Sequence, residues 1–229
     1  MKTRTVILAS SLALTLASAA NASVFNFRSG YVGNAPGTFG QLEDDISCLG
    51  MPTGTIPLTA ANFAAASSGP MAYVIQPHNA WTALLPSDNQ ARWINPDIFN
   101  AANPLGAPRS AIYAINFTVP NWASATSATF SMDWMIDDVL GDNSNVGIYI
   151  NNPAQGLNIS GGNFATPTNG FANIPTSWLG LNNTLYIYQW DAGAVVSGII
   201  FSGSIRVVPT PASAALLGLG ALAITRRRR

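Results

Sequence analysis

Thr129-Phe130-Ser131-Met132-Asp133-Trp134-Met135-Ile136 alternates polar and apolar side chains with a period of two. Successive side chains of an extended chain point to opposite sides. The stretch therefore predicts a β-strand with one buried face. Ala111-Ile112-Tyr113-Ala114-Ile115-Asn116-Phe117-Thr118-Val119 predicts a second strand, stopped by Pro120, which has no backbone N–H to offer a ladder. Val146 to Ile150 and Leu185 to Trp190 read the same way. Val195 to Val208 predicts a final strand or two, with Gly198 and Gly203 as bends or bulges. Short runs of this kind, separated by Gly, Pro, Asn, Ser and Thr, predict an all-β sandwich or barrel; a β-sandwich over residues 23–208 is the expected domain. Gly33 to Gly69, with the acidic triplet Glu43-Asp44-Asp45, reads as loops with one or two short strands and a helical turn over Ala60 to Ala66. No internal repeat and no linker divides this region.

Both flanks read as processing segments. Residues 1–22 have a basic start (Lys2, Arg4), an apolar run from Val6 to Ala17 and small residues Ala20-Asn21-Ala22 before Ser23. That order is a secretory signal peptide, an N-terminal helix cleaved between Ala22 and Ser23. At the other flank, Val208-Pro209-Thr210-Pro211-Ala212-Ser213 precedes an apolar stretch from Ala214 to Ile224, then Thr225 and Arg226-Arg227-Arg228-Arg229. A helix apolar on every face needs an apolar surrounding. This one is short of the about 20 residues of a full bilayer crossing, and the arginines favour a cytoplasmic location for that end. A C-terminal hydrophobic helix over residues 209–229, anchored in the inner membrane, is the expectation.

Charge and chemistry narrow the function classes. Between Ser23 and Val208 there are four basic residues (Arg28, Arg92, Arg109, Arg206) against ten acidic ones, a net charge of −6, and no lysine. Such a surface repels nucleic acid, whose binding depends on cations that neutralise phosphates. Cys48 is the lone cysteine, so no intrachain disulfide forms, and it reads as a small buried apolar residue. His78 is the lone histidine and sits in the polar stretch Gln76-Pro77-His78-Asn79. A Ser-His-Asp or Cys-His enzyme would depend on it, and the region has no G-x-S-x-G motif. Carboxylate-only glycoside hydrolysis needs two facing acids. Asp133, Asp137 and Asp138 are the candidates, but Asp137 and Asp138, as strand neighbours, point to opposite faces and make no obvious pair.

The Pro209-Thr210-Pro211-Ala212-Ser213 motif, apolar helix and arginine cluster together resemble the PEP-CTERM sorting signal, with Thr210 where the family name has Glu. The resemblance covers about 20 residues and implies export by a Gram-negative bacterium and cleavage near the Pro-x-Pro motif by an exosortase-type protease. A more diffuse resemblance spans residues 72–208: Ala80-Trp81, Ala91-Arg92-Trp93-Ile94, the Tyr113 strand, Asp137-Asp138 before Val146-Gly147-Ile148-Tyr149-Ile150-Asn151, Gly180-Leu181-Asn182-Asn183-Thr184-Leu185 and a Gly-rich last strand. It is similar to the galactose-binding-like jelly roll of exported modules and implies a fold more than a ligand. In that setting Asp137, Asp138, Asp142, Asn143 and Asn145 offer the oxygen ligands of a structural calcium. Their spacing is not that of an EF-hand, and the same residues are ordinary turn formers.

Of six tryptophans, Trp93 and Trp134 lie within apolar alternation and are expected in the core. Trp122, after Pro120, and Trp190, before Asp191, are the candidates for stacking on a sugar. The reading is a non-catalytic surface or extracellular-matrix protein that uses the export machinery and an exosortase-type protease. The alternative is a carbohydrate-binding module for exopolysaccharide, and the third is an exported hydrolase.

Overall fold

The computed structural model describes residues 21–54, 57–98, 109–193 and 196–210. The signal helix, Ala20, and the sorting residues Pro211 to Ser213 and Arg226 to Arg229 lie outside them. The strands are β1 (Ser23–Arg28), β2 (Tyr31–Val32), β3 (Ala35–Pro36), β4 (Leu42–Met51), β5 (Met71–Val74), β6 (Ile94–Asn95), β7 (Ser110–Thr118), β8 (Ala125–Asp137), β9 (Val139–Leu140), β10 (Ile148–Ile150), β11 (Gly156–Leu157), β12 (Thr168–Asn173), β13 (Asn182–Trp190) and β14 (Gly198–Pro209). One α-helix, α1 (Ala60–Ser67), and 3-10 turns at Trp122–Ser124 and Thr176–Trp178 complete the order.

The fold is all-β. Twelve strands form one antiparallel sheet, β11-β10-β13-β7-β4-β5-β6-β14-β8-β12, with β1 added to β14 and β9 to β13; β2 and β3 make a separate hairpin. The sheet curls nearly into a barrel. Phe117, Ile115 and Ile187 from the β7–β13 side meet Phe130, Trp134 and Phe201 from the β8–β14 side in one core. This gives a sandwich-like interior within a single sheet.

The pleat assigns the side chains. Phe130, Met132, Trp134 and Ile136 of β8 enter the main core, as their alternation predicts. Both faces of the central strands are covered, so they lose the polar half of the pattern. On β7, Tyr113 and Ile115 point inward, while Ile112 and Ala114 pack beneath α1 with Phe63 and Ala66. On β8 and β14, Met135 and Ile200 lie under the excursion that carries Ile75, Trp81, Leu85 and Trp93. Trp93 and Trp134 are each 1% exposed, as expected of core residues.

Three readings change. The region from Gly33 to Gly69 holds the ten-residue strand β4, which takes in the whole acidic triplet, with Glu43 turned inward. The helical turn is a full helix, capped reciprocally by Thr59 and Asn62. Gly203 is no bulge, since the β8–β14 register runs unbroken from Gly198 to Val208. It is a close approach: a Cβ there would strike Ser131 O and the Phe27 ring. Glycine in a strand marks such contacts as readily as bulges.

Candidate functional site

The barrel has an open seam. β1 pairs only with β14 among the described strands, Ser23 opposite Val207 through Arg28 opposite Ser202. Ser29 donates its N–H to Phe201 O at 2.9 Å. By the alternation of an antiparallel ladder, Phe25 and Phe27 turn their backbone groups to β14, and Val24, Asn26 and Arg28 turn theirs to the seam. Across the gap stand β4 and the end of β7. No ladder joins them to β1; instead the rings stack, Phe25 on Phe117 at 5.3 Å and Phe25 on Phe27 at 6.1 Å.

Beside this stack the seam widens into a groove of about 430 Å³, lined by Phe25, Asn26, Arg28, Tyr31, Asp45 and Asn116, with Glu43 at its floor. The Arg28 guanidinium lies 4.7 Å from the Tyr31 ring centre and pairs with Asp88 at 2.9 Å. Asp88 also accepts from Ser202 Oγ at 2.7 Å. The rim is therefore tied by a cation–π contact and an ion pair, and the walls mix aromatic rings with amides and hydroxyls.

Glu43 is 3% exposed. Burial pushes its carboxyl up to about 8, the charges of Asp44 and Asp45 add to this, and the N–H groups of Gly30 and Tyr31 pull the other way. Its Oε1 accepts the Gly30 N–H, while Asp44 Oδ2 accepts the Gly33 N–H at 2.8 Å. The two acids fasten the turn after β1 to β4. Gly30 must be glycine, having φ +68° and no room for a Cβ against Arg92. With its accepting oxygen held by this turn, Glu43 is built as a structural pin whose burial favours the protonated carboxyl.

The residues singled out in the sequence fall elsewhere. Trp122 is exposed on the 3-10 turn between β7 and β8, outside the groove. Trp190 is half-buried, packed against the cluster under α1, which withdraws much of its ring from solvent. Asp137, the last residue of β8, is buried, and Asp138, just past the strand, is exposed. Their neighbour is Asp191 rather than Asp142. Burial pushes Asp137 up to about 7, with Asp138 and Asp191 adding to it, and burial pushes Asp191 up to about 6. Asp138 Oδ2 accepts the Ala192 N–H at 2.6 Å, and Asp191 Oδ1 the Gly193 N–H at 2.6 Å. Asp142 instead holds its own loop: Oδ1 accepts the N–H groups of Ser144 and Asn145, and Oδ2 the Tyr188 hydroxyl at 3.0 Å. Among the described residues no three His, Cys, Asp or Glu side chains are grouped as a metal site. His78 caps its own turn, Nδ1 accepting the Ala80 N–H at 3.2 Å. Cys48 is fully buried, and burial pushes its thiol up to about 12.

The groove residues were missed because they come from four separate segments. The one local signal was the acidic triplet itself. No protein-family model matches the chain, and no curated protein matches it.

Proposed function

We propose that this is an exported surface or extracellular-matrix protein whose β-module is displayed, without catalysis, after a signal peptide is removed at Ala22 and a C-terminal segment is processed near Pro211. The observation that carries the reading is a coincidence of boundaries. The compact unit runs from Ala22 to Pro209, beginning where signal cleavage is expected and ending where the sorting motif begins. The first residue after the expected cleavage site, Ser23, is paired with Val207, which supports a module that begins there. The galactose-binding-like jelly roll is the topology we propose for it, supported by antiparallel strands opposed across a common core. In the native host, Pro211→Ala is expected to leave residues 210–229 on the envelope-bound protein. Normal release of the variant would count against recognition of the Pro-x-Pro motif.

The groove favours binding of an uncharged stretch of exopolysaccharide as a second reading. Its lining sets the aromatic side chains Phe25 and Tyr31 beside Asn26, Asn116 and Asp45, a mixture of apolar and polar groups that suits a sugar. Tyr31→Ala is expected to weaken retardation in polysaccharide-containing native gels by about tenfold, the equivalent of about 1.4 kcal/mol. Unchanged mobility would remove the groove from this role.

A further inference from the structure

We infer that the end of the module from which both chain termini leave rests on a phospholipid surface while the protein is membrane-attached; this depends on the attachment proposed above. The antiparallel pairing of β1 and β14 puts Ser23 beside Val207, so both flanks depart from the same end. Three large apolar side chains are exposed there, Val24 at 55%, Trp122 at 43% and Leu181 at 51%. They belong together. Val119 donates its N–H to Leu181 O at 2.9 Å, and Trp122 donates to Val119 O at 3.2 Å. Val24 and Val119 line one shallow apolar cleft of about 200 Å³.

Charge is segregated in the same sense. The segments that meet at this end, residues 22–25, 117–128, 173–184 and 205–210, contain no aspartate or glutamate, and their one charged side chain is the exposed Arg206; the first acids further in, Asp45 and Asp133, line clefts with Asn26. All ten acidic residues of the chain lie in other segments. An acidic module held close to anionic lipid keeps its carboxylates away from that surface. It offers the surface tryptophan and aliphatic side chains, which favour the headgroup boundary, and an arginine. The sequence that continues past Pro209 from this end is the apolar stretch Ala214 to Ile224 and four arginines. The occupant is therefore a bilayer.

Cys48, fully buried, leaves introduced cysteines as the reactive thiols, so position can be read with a single fluorophore. Full-length Trp122→Cys and Leu181→Cys proteins, and Ala192→Cys as the control at the opposite end, are labelled and mixed with phosphatidylethanolamine–phosphatidylglycerol vesicles brominated on the acyl chains. The proteins are expected to float with the vesicles. Emission at positions 122 and 181 is expected to fall by about twofold, since interfacial groups sit about 5–10 Å into the headgroup–acyl boundary, and emission at 192 to stay unchanged. Flotation without quenching at 122 and 181 would overturn this orientation and leave the attachment intact. Absence of flotation would overturn both. A concentration-dependent blue shift at 122 without vesicles, with no quenching by brominated lipid, would assign the patch to a second copy and overturn the inference.

Discussion

At pH 9, Glu43→Gln is expected to unfold at a higher temperature than the parent protein, with the advantage gone by pH 5. In the unfolded chain this carboxyl titrates near its ordinary 4.5, whereas in the fold burial pushes it up to about 8. A group raised on folding gives its full stabilisation below the unfolded value and loses it as pH climbs through the folded one. The parent is thus expected to weaken between about pH 4.5 and 8. With Glu43 shielded from solvent, the loss is on the order of 4 kcal/mol, or about 10 °C for a chain of this size. Asp137 and Asp191, raised to about 7 and about 6, slope in the same direction. Glutamine keeps an acceptor for the Gly30 N–H and has no proton to lose. Thermal unfolding followed by circular dichroism at pH 5, 7 and 9 checks this. Identical pH slopes for parent and variant would show that Glu43 does not carry the effect.

Phe27→Ala is expected to cost about 3–5 kcal/mol, the range for removing a fully packed aromatic ring. Phe27 stands where β1 meets the barrel without a ladder on its seam side. Its ring stacks on Phe25, lies 5.8 Å from Phe130 and tilts against Phe201 at 6.2 Å. It also lies over its cross-strand partner Gly203, an aromatic ring covering a strand glycine. Gly203→Ala forces a Cβ against that ring and against Ser131 O and is expected to cost about 1–3 kcal/mol by overpacking. With Phe27 already truncated, one of these two collisions is gone, and the alanine is expected to cost about 1 kcal/mol less. Urea unfolding of the two single variants and the double variant closes the cycle. Strict additivity, or a Phe27→Ala cost below about 1 kcal/mol, would contradict the packing described at the seam.

The long strands were legible because their inward faces repeat every second residue: Phe130, Met132 and Trp134 on β8 needed only the pleat. β7 was legible as an apolar run, although its outer face became visible only with α1 and Phe63 in place. β4 was hidden because its first turn inward is a carboxylate, and a triplet of acids reads as solvent-facing loop. Three other strands of the main sheet, β6, β9 and β11, have two residues each, too few for any period to register. The oxygen-rich stretch was read as one local loop, but the fold separates its uses: Asp142 holds residues 142–145, while Asp137 and Asp138 lie with Asp191, more than fifty positions later. Pairings at that distance leave no local trace. The groove was illegible for the same reason, since residues 25–31, 43–46, 115–116 and 202–203 meet only when β1 closes on β14. The exposed Trp122 was legible from Pro120. That it shares an acid-free end with Val24 and Leu181 was not.

The most direct test of display after two cleavages is the intact mass of the protein recovered from the envelope and medium of its native host. The account predicts a species that begins at Ser23 and lacks the residues after about Pro211. A species that retains Arg226 to Arg229 in both fractions would contradict the sorting claim.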